Sequence, residues 1–154
     1  AGIFKSDDIQ GHQRYAGFLA AIRDAGLNIP DDRVYWYTTE ERRFLLDYGH
    51  TEMLDHFLSF YLRDCTAVVC YNDEIADRLV RHLLGMGRKI PGDISVVSFD
   101  NSYYSDLCPI RITSLAHGVH KMGEIAAQLL LDRMEGKPCQ SQSVSWRLLQ
   151  KESG

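Results

Sequence analysis

Lys89-Ile90-Pro91-Gly92-Asp93-Ile94-Ser95-Val96-Val97-Ser98-Phe99-Asp100-Asn101 decides the fold class. A Pro-Gly turn feeds a β-branched run, and the run stops on an acid–amide pair. Asp93–Phe99 therefore reads as a buried strand. Ligands of α/β sheets bind at the carboxyl ends of strands, so Asp100 stands where a binding acid would be placed.

Working outward, strands and helices alternate. Toward the amino end, Ile3-Phe4 reads as the end of a strand. Ile9–Ala25 reads as a helix, with Tyr15, Phe18, Leu19 and Ile22 on one face and Gly26 as its stop. Val34–Tyr37 follows the Pro30-Asp31-Asp32 turn as a strand. Thr51–Leu62 is expected to be helical with Met53, Leu54, Phe57, Leu58 and Tyr61 inward. Ala67–Tyr71 is a buried strand, and Asp73–Met86 a helix capped by Asp73. Beyond the opening segment come a strand over Ile112–Leu115, a helix over about Val119–Glu135 and a last strand over Val144–Leu148. Such alternation demands an α/β fold: a largely parallel sheet flanked by helices on both faces.

A chain of 154 residues, 45% hydrophobic and 25% charged, is expected to form one compact unit. At this size folding hides roughly 70% of the unfolded surface. The balance of 21 acids against 17 bases gives a net charge of −4, which argues against this segment holding nucleic acid alone. No apolar run approaches the roughly 20 residues of a membrane span, and the opening residues do not read as a signal peptide. Cys65, Cys70, Cys108 and Cys139 include no Cys-x-x-Cys pair, and Cys65 and Cys70 read as buried thiols of a reducing cytoplasm.

Several polar residues fall where chemistry could occur. Arg14 lies in the first turns of its helix, just beyond a strand end. Its guanidinium offers two parallel donors to hydroxyls or a carboxylate, or else it is a solvated helix residue. Asn72 closes a strand with donor and acceptor together, which suits vicinal hydroxyls; the alternative is plain helix capping. Asp100 is an acceptor-only carboxylate, or a turn residue bonding the backbone of Asn101 to Tyr103. His117 and His120 stand three apart, but nothing completes a ligand set, so a metal site is rejected. Trp36, Tyr37 and Tyr71 could offer an aromatic platform to a ligand's apolar face, although core packing is their more ordinary task. Thr38, after the second strand, is a weaker candidate. No Ser-His-Asp order, nucleophile elbow or phosphate-cradling glycine loop is present, so the chain reads as a binding module without catalysis or cofactor. Paired acids Asp7-Asp8 also raise a receiver-like phosphoryl-accepting domain. That scheme needs a Lys at a late strand end, where Ala116-His117-Gly118 stands instead, and Asp7-Asp8 reads better as a helix start.

These segments also carry a resemblance. Arg14-Tyr15-Ala16-Gly17-Phe18, Tyr71-Asn72-Asp73-Glu74, the Pro-x-Asp turn with its Phe99-Asp100 pair, and Thr113-Ser114-Leu115 resemble, in order, the motifs of the effector-binding domain of the lactose- and galactose-repressor family. Gly2-Ile3-Phe4-Lys5, Tyr37-Thr38-Thr39-Glu40-Glu41 and Cys70-Tyr71-Asn72-Asp73-Glu74 are similar to its arabinose-responsive branch. The resemblance implies a periplasmic-binding-protein-like fold of two lobes with a sugar between them. It assigns ligand contact to Arg14, Asn72 and Asp100, to the hinge residue His117, and to Lys5 in the arabinose-type branch. It further implies that residues 1–154 cover the second lobe, and that the segment about 112–135 packs on a first lobe. It implies a cytoplasmic repressor, L-arabinose as effector, operator DNA bound only through an N-terminal head outside these residues, and a homodimer. A transport-type sugar-binding protein of the same fold is the alternative. Ser98 departs from the family, which mostly has Gly there.

Overall fold

The computed structural model describes residues 1–154, apart from the side chain of Val119. Its sheet has six strands in the order β2-β1-β3-β4-β5-β6: β1 (Gly2–Lys5), β2 (Val34–Tyr37), β3 (Ala67–Cys70), β4 (Ser95–Phe99), β5 (Thr113–Ala116) and β6 (Arg147–Leu149). β2, β1, β3, β4 and β5 run parallel, and β6 pairs antiparallel with β5. The expected α/β architecture is thus present, with one antiparallel edge.

Strict alternation sorts the sheet's two faces. Val68, Cys70, Val96 and Ser98 point to one face and are buried, while Val69, Val97 and Phe99 point to the other and are half-buried. The buried face carries the core, where Ile3, Tyr37, Val68 and Val96 meet Leu54, Phe57, Ile75 and Leu79. Those last four come from α3 (Glu52–His56) with its continuation, and from α4 (Asp73–Gly85). On the opposite face α1 (Ile9–Asp24) covers β1, where Phe4 packs on Tyr15, Phe18 and Trp36.

Four local differences from the sequence reading have physical reasons. Residues 38–50, which no hydrophobic period marks, contain α2 (Thr39–Asp47). It buries only Leu45 and starts with a reciprocal capping box between Thr38 and Glu41. The helix expected over Thr51–Leu62 is α3 followed by a π-helical turn over Phe57–Tyr61, closed by the Leu62 N–H donating to the Phe57 carbonyl. The extra residue lets both Phe57 and Leu62 face the core. α4 is capped by Asn72, whose Oδ1 accepts from the Ile75 N–H, and not by Asp73. The last strand is Arg147–Leu149, later than the expected Val144–Leu148. A short α5 (Tyr103–Leu107) follows the opening segment, and α6 (Val119–Met134) follows β5.

Candidate ligand-binding cleft

The carboxyl ends of β1, β3 and β4 converge on a single polar cluster. The approach of α1 to β1 sets its base. Asp8 caps α1, its Oδ1 accepting from the Gly11 N–H at 2.7 Å. Any side chain at Gly11 would meet the Lys5 carbonyl oxygen, 1.9 Å from an ideal Cβ, so only glycine lets the helix start so close to the strand. One turn later Arg14 lies across the sheet edge. Its guanidinium donates to the Tyr71 carbonyl after β3 and to Asp100 Oδ1 after β4, the latter at 2.7 Å. The Tyr71 ring and the Phe99 ring lie 4.7 Å and 4.9 Å from its Cζ. Two aromatic faces and two acceptors thereby fix the cation's plane.

A second chain of contacts runs back to β1. The Tyr71 hydroxyl donates to Asp8 Oδ2 at 2.6 Å, and Lys5 Nζ stands 3.3 Å from the same oxygen. Burial alone would raise the Asp8 carboxyl, but the hydrogen bonds from Tyr71 and Gly11 and the Lys5 charge hold it below its usual range. Burial and the Asp8 carboxylate push the Tyr71 phenol well above its ordinary value, so it remains a donor.

Asp100 and Asn101 occupy the left-handed region, with φ of 98° and 47°. Aspartate and asparagine tolerate this region better than other non-glycine residues but still at a cost, so the turn is held from outside. The Leu115 carbonyl accepts from the Asp100 N–H, Ser114 Oγ accepts from the Asn101 N–H, and Lys151 Nζ donates to Asn101 Oδ1 at 3.0 Å. Beneath the turn lies Asp73, only 1% exposed. Its carboxylate accepts from Ser98 Oγ, Ser114 Oγ and both the N–H and Oγ of Ser102, tying β4, β5 and the following loop together. Ser98, the departure from the family's glycine, is therefore a donor to the buried acid.

The five candidates do not all share one wall. Arg14, Asp100 and His117 line a cleft of about 1040 Å³ that runs from the polar edge over Val69, Val97, Phe99 and Leu115, bounded by α1 on one side. His117 Nδ1 is buried there without a hydrogen-bond partner among the described residues. Lys5 and Asn72 lie at the same sheet edge behind Tyr71, outside the cleft lining. Asn72 spends its oxygen on the α4 cap and keeps its amide to donate. Trp36 packs against Phe4, His12 and Tyr15, and Tyr37 is fully buried, so neither is a free platform. The cleft's aromatic wall is instead Trp146, 48% exposed, with ring centroids 5.1 Å from His117 and 6.1 Å from Phe99. The alternation of Val144, Trp146 and Leu148 puts Trp146 in the expected last strand, whereas it lies in an irregular stretch before β6, and Asp73 reads in sequence as a mere cap. Donors, acceptors and an aromatic face around one cleft suit a polyhydroxylated ligand.

Comparison with known proteins gives a consistent answer. The periplasmic binding protein-like domain family matches residues 2–153. The arabinose metabolism transcriptional repressors of Halalkalibacterium halodurans and Geobacillus stearothermophilus are 32% and 33% identical to this chain, covering 87% and 88% of it. The matches occupy 35% and 36% of those proteins, so the chain spans about a third of their length. A solved transcriptional regulator CelR–cellobiose complex superposes with a TM-score of 0.79 at 26% identity, over 100% of this chain and 46% of that one. By name these relatives are transcriptional regulators and not enzymes. The chain belongs to the periplasmic binding protein-like domain family, in the branch carried by repressors of the lactose and galactose type.

Proposed function

We propose that residues 1–154 are the second lobe of the effector-binding domain of a cytoplasmic transcriptional repressor, and that the effector is a sugar, L-arabinose. The observation that carries this reading is the Arg14–Asp100 pair, clamped between Tyr71 and Phe99 at the edge of a cleft that also presents the unpartnered His117 Nδ1. In this reading Arg14, Asp100 and His117 contact the sugar directly, and Trp146 stacks on its apolar face. Asn72 donates from its free amide. Lys5 acts on the hydroxyl side, through the Asp8–Tyr71 link or by direct contact once the cleft closes. The names of the two arabinose metabolism repressors support the choice of L-arabinose.

The segment 112–135 has two parts in this scheme. β5 completes the second lobe's sheet, while α6 packs on a first lobe. Exposed Leu130, Leu131 and Met134 support that, as they do homodimerisation. Effector closing the lobes would shift a two-state equilibrium, and linkage would lower affinity for operator DNA bound through an N-terminal head. Among the described residues no helix is long and apolar enough to cross a membrane.

An amide NMR titration of this chain with L-arabinose, D-galactose and D-ribose in parallel tests the reading. Shifts gathered at Asp100, His117, Trp146 and Asn72 with L-arabinose alone are expected. Equal shifts with all three sugars would remove the arabinose assignment, and shifts elsewhere would remove the site.

A further inference from the structure

A hollow of about 410 Å³ lies at the far edge of the sheet and shares no lining residue with the cleft. Its floor is Tyr35 on the edge strand β2 and Met53 on α3, both buried. Glu41 and Phe44 of α2, His50 in the connecting loop, and Glu52 and His56 of α3 form the walls. The Phe44 ring stacks on His50 at 5.9 Å with an interplanar angle of 10°, and Tyr35 meets His56 edge-on at 5.8 Å. Phe44, which also meets Tyr48 at 5.9 Å, remains 42% exposed.

The charge of this hollow is one-sided. Glu41 Oε1 accepts from the Tyr35 hydroxyl at 2.6 Å, and Oε2 accepts from the Thr38 N–H and Oγ1 at 2.7 Å and 2.9 Å. All three donors are neutral. Among the described residues neither Glu41 nor Glu52 joins an ion pair. The two arginines that follow Glu41 in the sequence are engaged elsewhere: Arg42 pairs with Glu74, and Arg43 lies over the Tyr48 ring. A half-buried carboxylate without a counter-ion, set among ring faces and a thioether, attracts positive charge.

We propose that this hollow is a second binding site, for a small organic cation bearing a quaternary or methylated ammonium group. A metal ion is the poorer fit, because no group of three His, Cys, Asp or Glu side chains is close enough to ligate one among the described residues. Glu41 has already committed its oxygens to short hydrogen bonds, so it offers charge more than directed acceptors. A quaternary ammonium needs no directed acceptor: its charge is spread over methyl groups that fit against Phe44, Tyr35 and Met53. The proposal is independent of the sugar reading.

Choline is the probe, and 3,3-dimethylbutan-1-ol its neutral isostere, in NMR titrations of the full chain at about pH 8, above the ordinary imidazole range. Choline is expected to shift His50, Met53 and His56 while leaving Asp100 and Trp146 in place, and the neutral isostere is expected to shift none of them. Phe44→Ala and Glu52→Gln, both at exposed positions, are each expected to weaken choline binding about fivefold, the size of one exposed cation–π or charge contact. Equal response to the isostere, silence to choline at tens of millimolar, or choline shifts indifferent to both variants would each overturn the proposal.

Discussion

α4 and α6 are written in the same code and meet opposite fates. Both place aliphatic residues at helical spacing: Ile75, Leu79 and Leu83 in one, Ile125 and Leu129 in the other. α4 buries seven residues against the sheet. α6 is longer, at 16 residues against 13, yet none of its described side chains is buried, and Leu130 is 62% exposed. Periodicity tells which face of a helix is apolar. What covers that face is set by topology, and no local signal carries it.

The largest effects are expected where the comparison is most one-sided. Leu79→Ala removes a fully buried side chain from the core and should cost about 3 kcal/mol, read as a lowered denaturation midpoint in urea. If the cost were under about 1 kcal/mol, α4 would not be the anchored helix that its burial implies. Asp73→Ala tests the same helix at its polar end. It strands the hydroxyls of Ser98 and Ser114 in a dry interior and should cost about 2 kcal/mol. The same change releases the strained Asp100–Asn101 turn, so sugar affinity should fall with stability.

Next in size is Asp100→Asn. Asparagine tolerates the left-handed backbone that Asp100 adopts, so the fold should hold. The charge-assisted bond to Arg14 is lost, and binding of the proposed effector, L-arabinose, should weaken about tenfold by calorimetry. Trp146→Ala should weaken it by a smaller factor, about fivefold, because a stacking face is lost and no hydrogen bond. An unchanged affinity in both would move the ligand out of this cleft.

Much of this was readable from residues. The strands follow from β-branched runs between turn signals, and Arg14 and Asp100 stand at helix start and strand end, where they pair. Three features resist such reading. Asn72 and Asp73 are both good caps, and only the depth of Ser98 and Ser114 shows that Asp73 is needed below the turn. Lys151 lies some 50 residues from the turn it holds, Trp146 is nearly as far from the Phe99 ring it meets, and both arrive there because β6 doubles back along β5. α2 is polar on most of its surface and is betrayed only by its capping box.

A smaller effect concerns pH. The Asp8 carboxyl lies below its ordinary range, so its contribution to stability is complete above about pH 4 and is lost as pH falls through the depressed value. Asparagine caps a helix nearly as well, so Asp8→Asn keeps the cap while removing the charge and the oxygen that accepts from the Tyr71 hydroxyl. With a half-buried carboxylate that water still reaches, the gap between the two proteins should stay at about 1 kcal/mol at neutral pH and narrow in acid.

The smallest expected effect is the sharpest test of the opening contrast. Leu130→Ala in α6 should change the stability of the isolated chain by less than about 0.5 kcal/mol, although the same change at Leu79 costs several times more. An exposed leucine has no packing to lose within the chain. It does have a neighbour to lose if another surface covers it, whether a second copy or a first lobe. Sedimentation at high concentration separates these cases. If α6 holds two copies together, Leu130→Ala shifts the chain toward monomer with its unfolding unchanged. If the chain sediments as a sharp monomer with and without the substitution, self-association through α6 is ruled out. The apolar side of α6 then points to a lobe-to-lobe contact, and the same leucine should become costly to remove once that lobe is present.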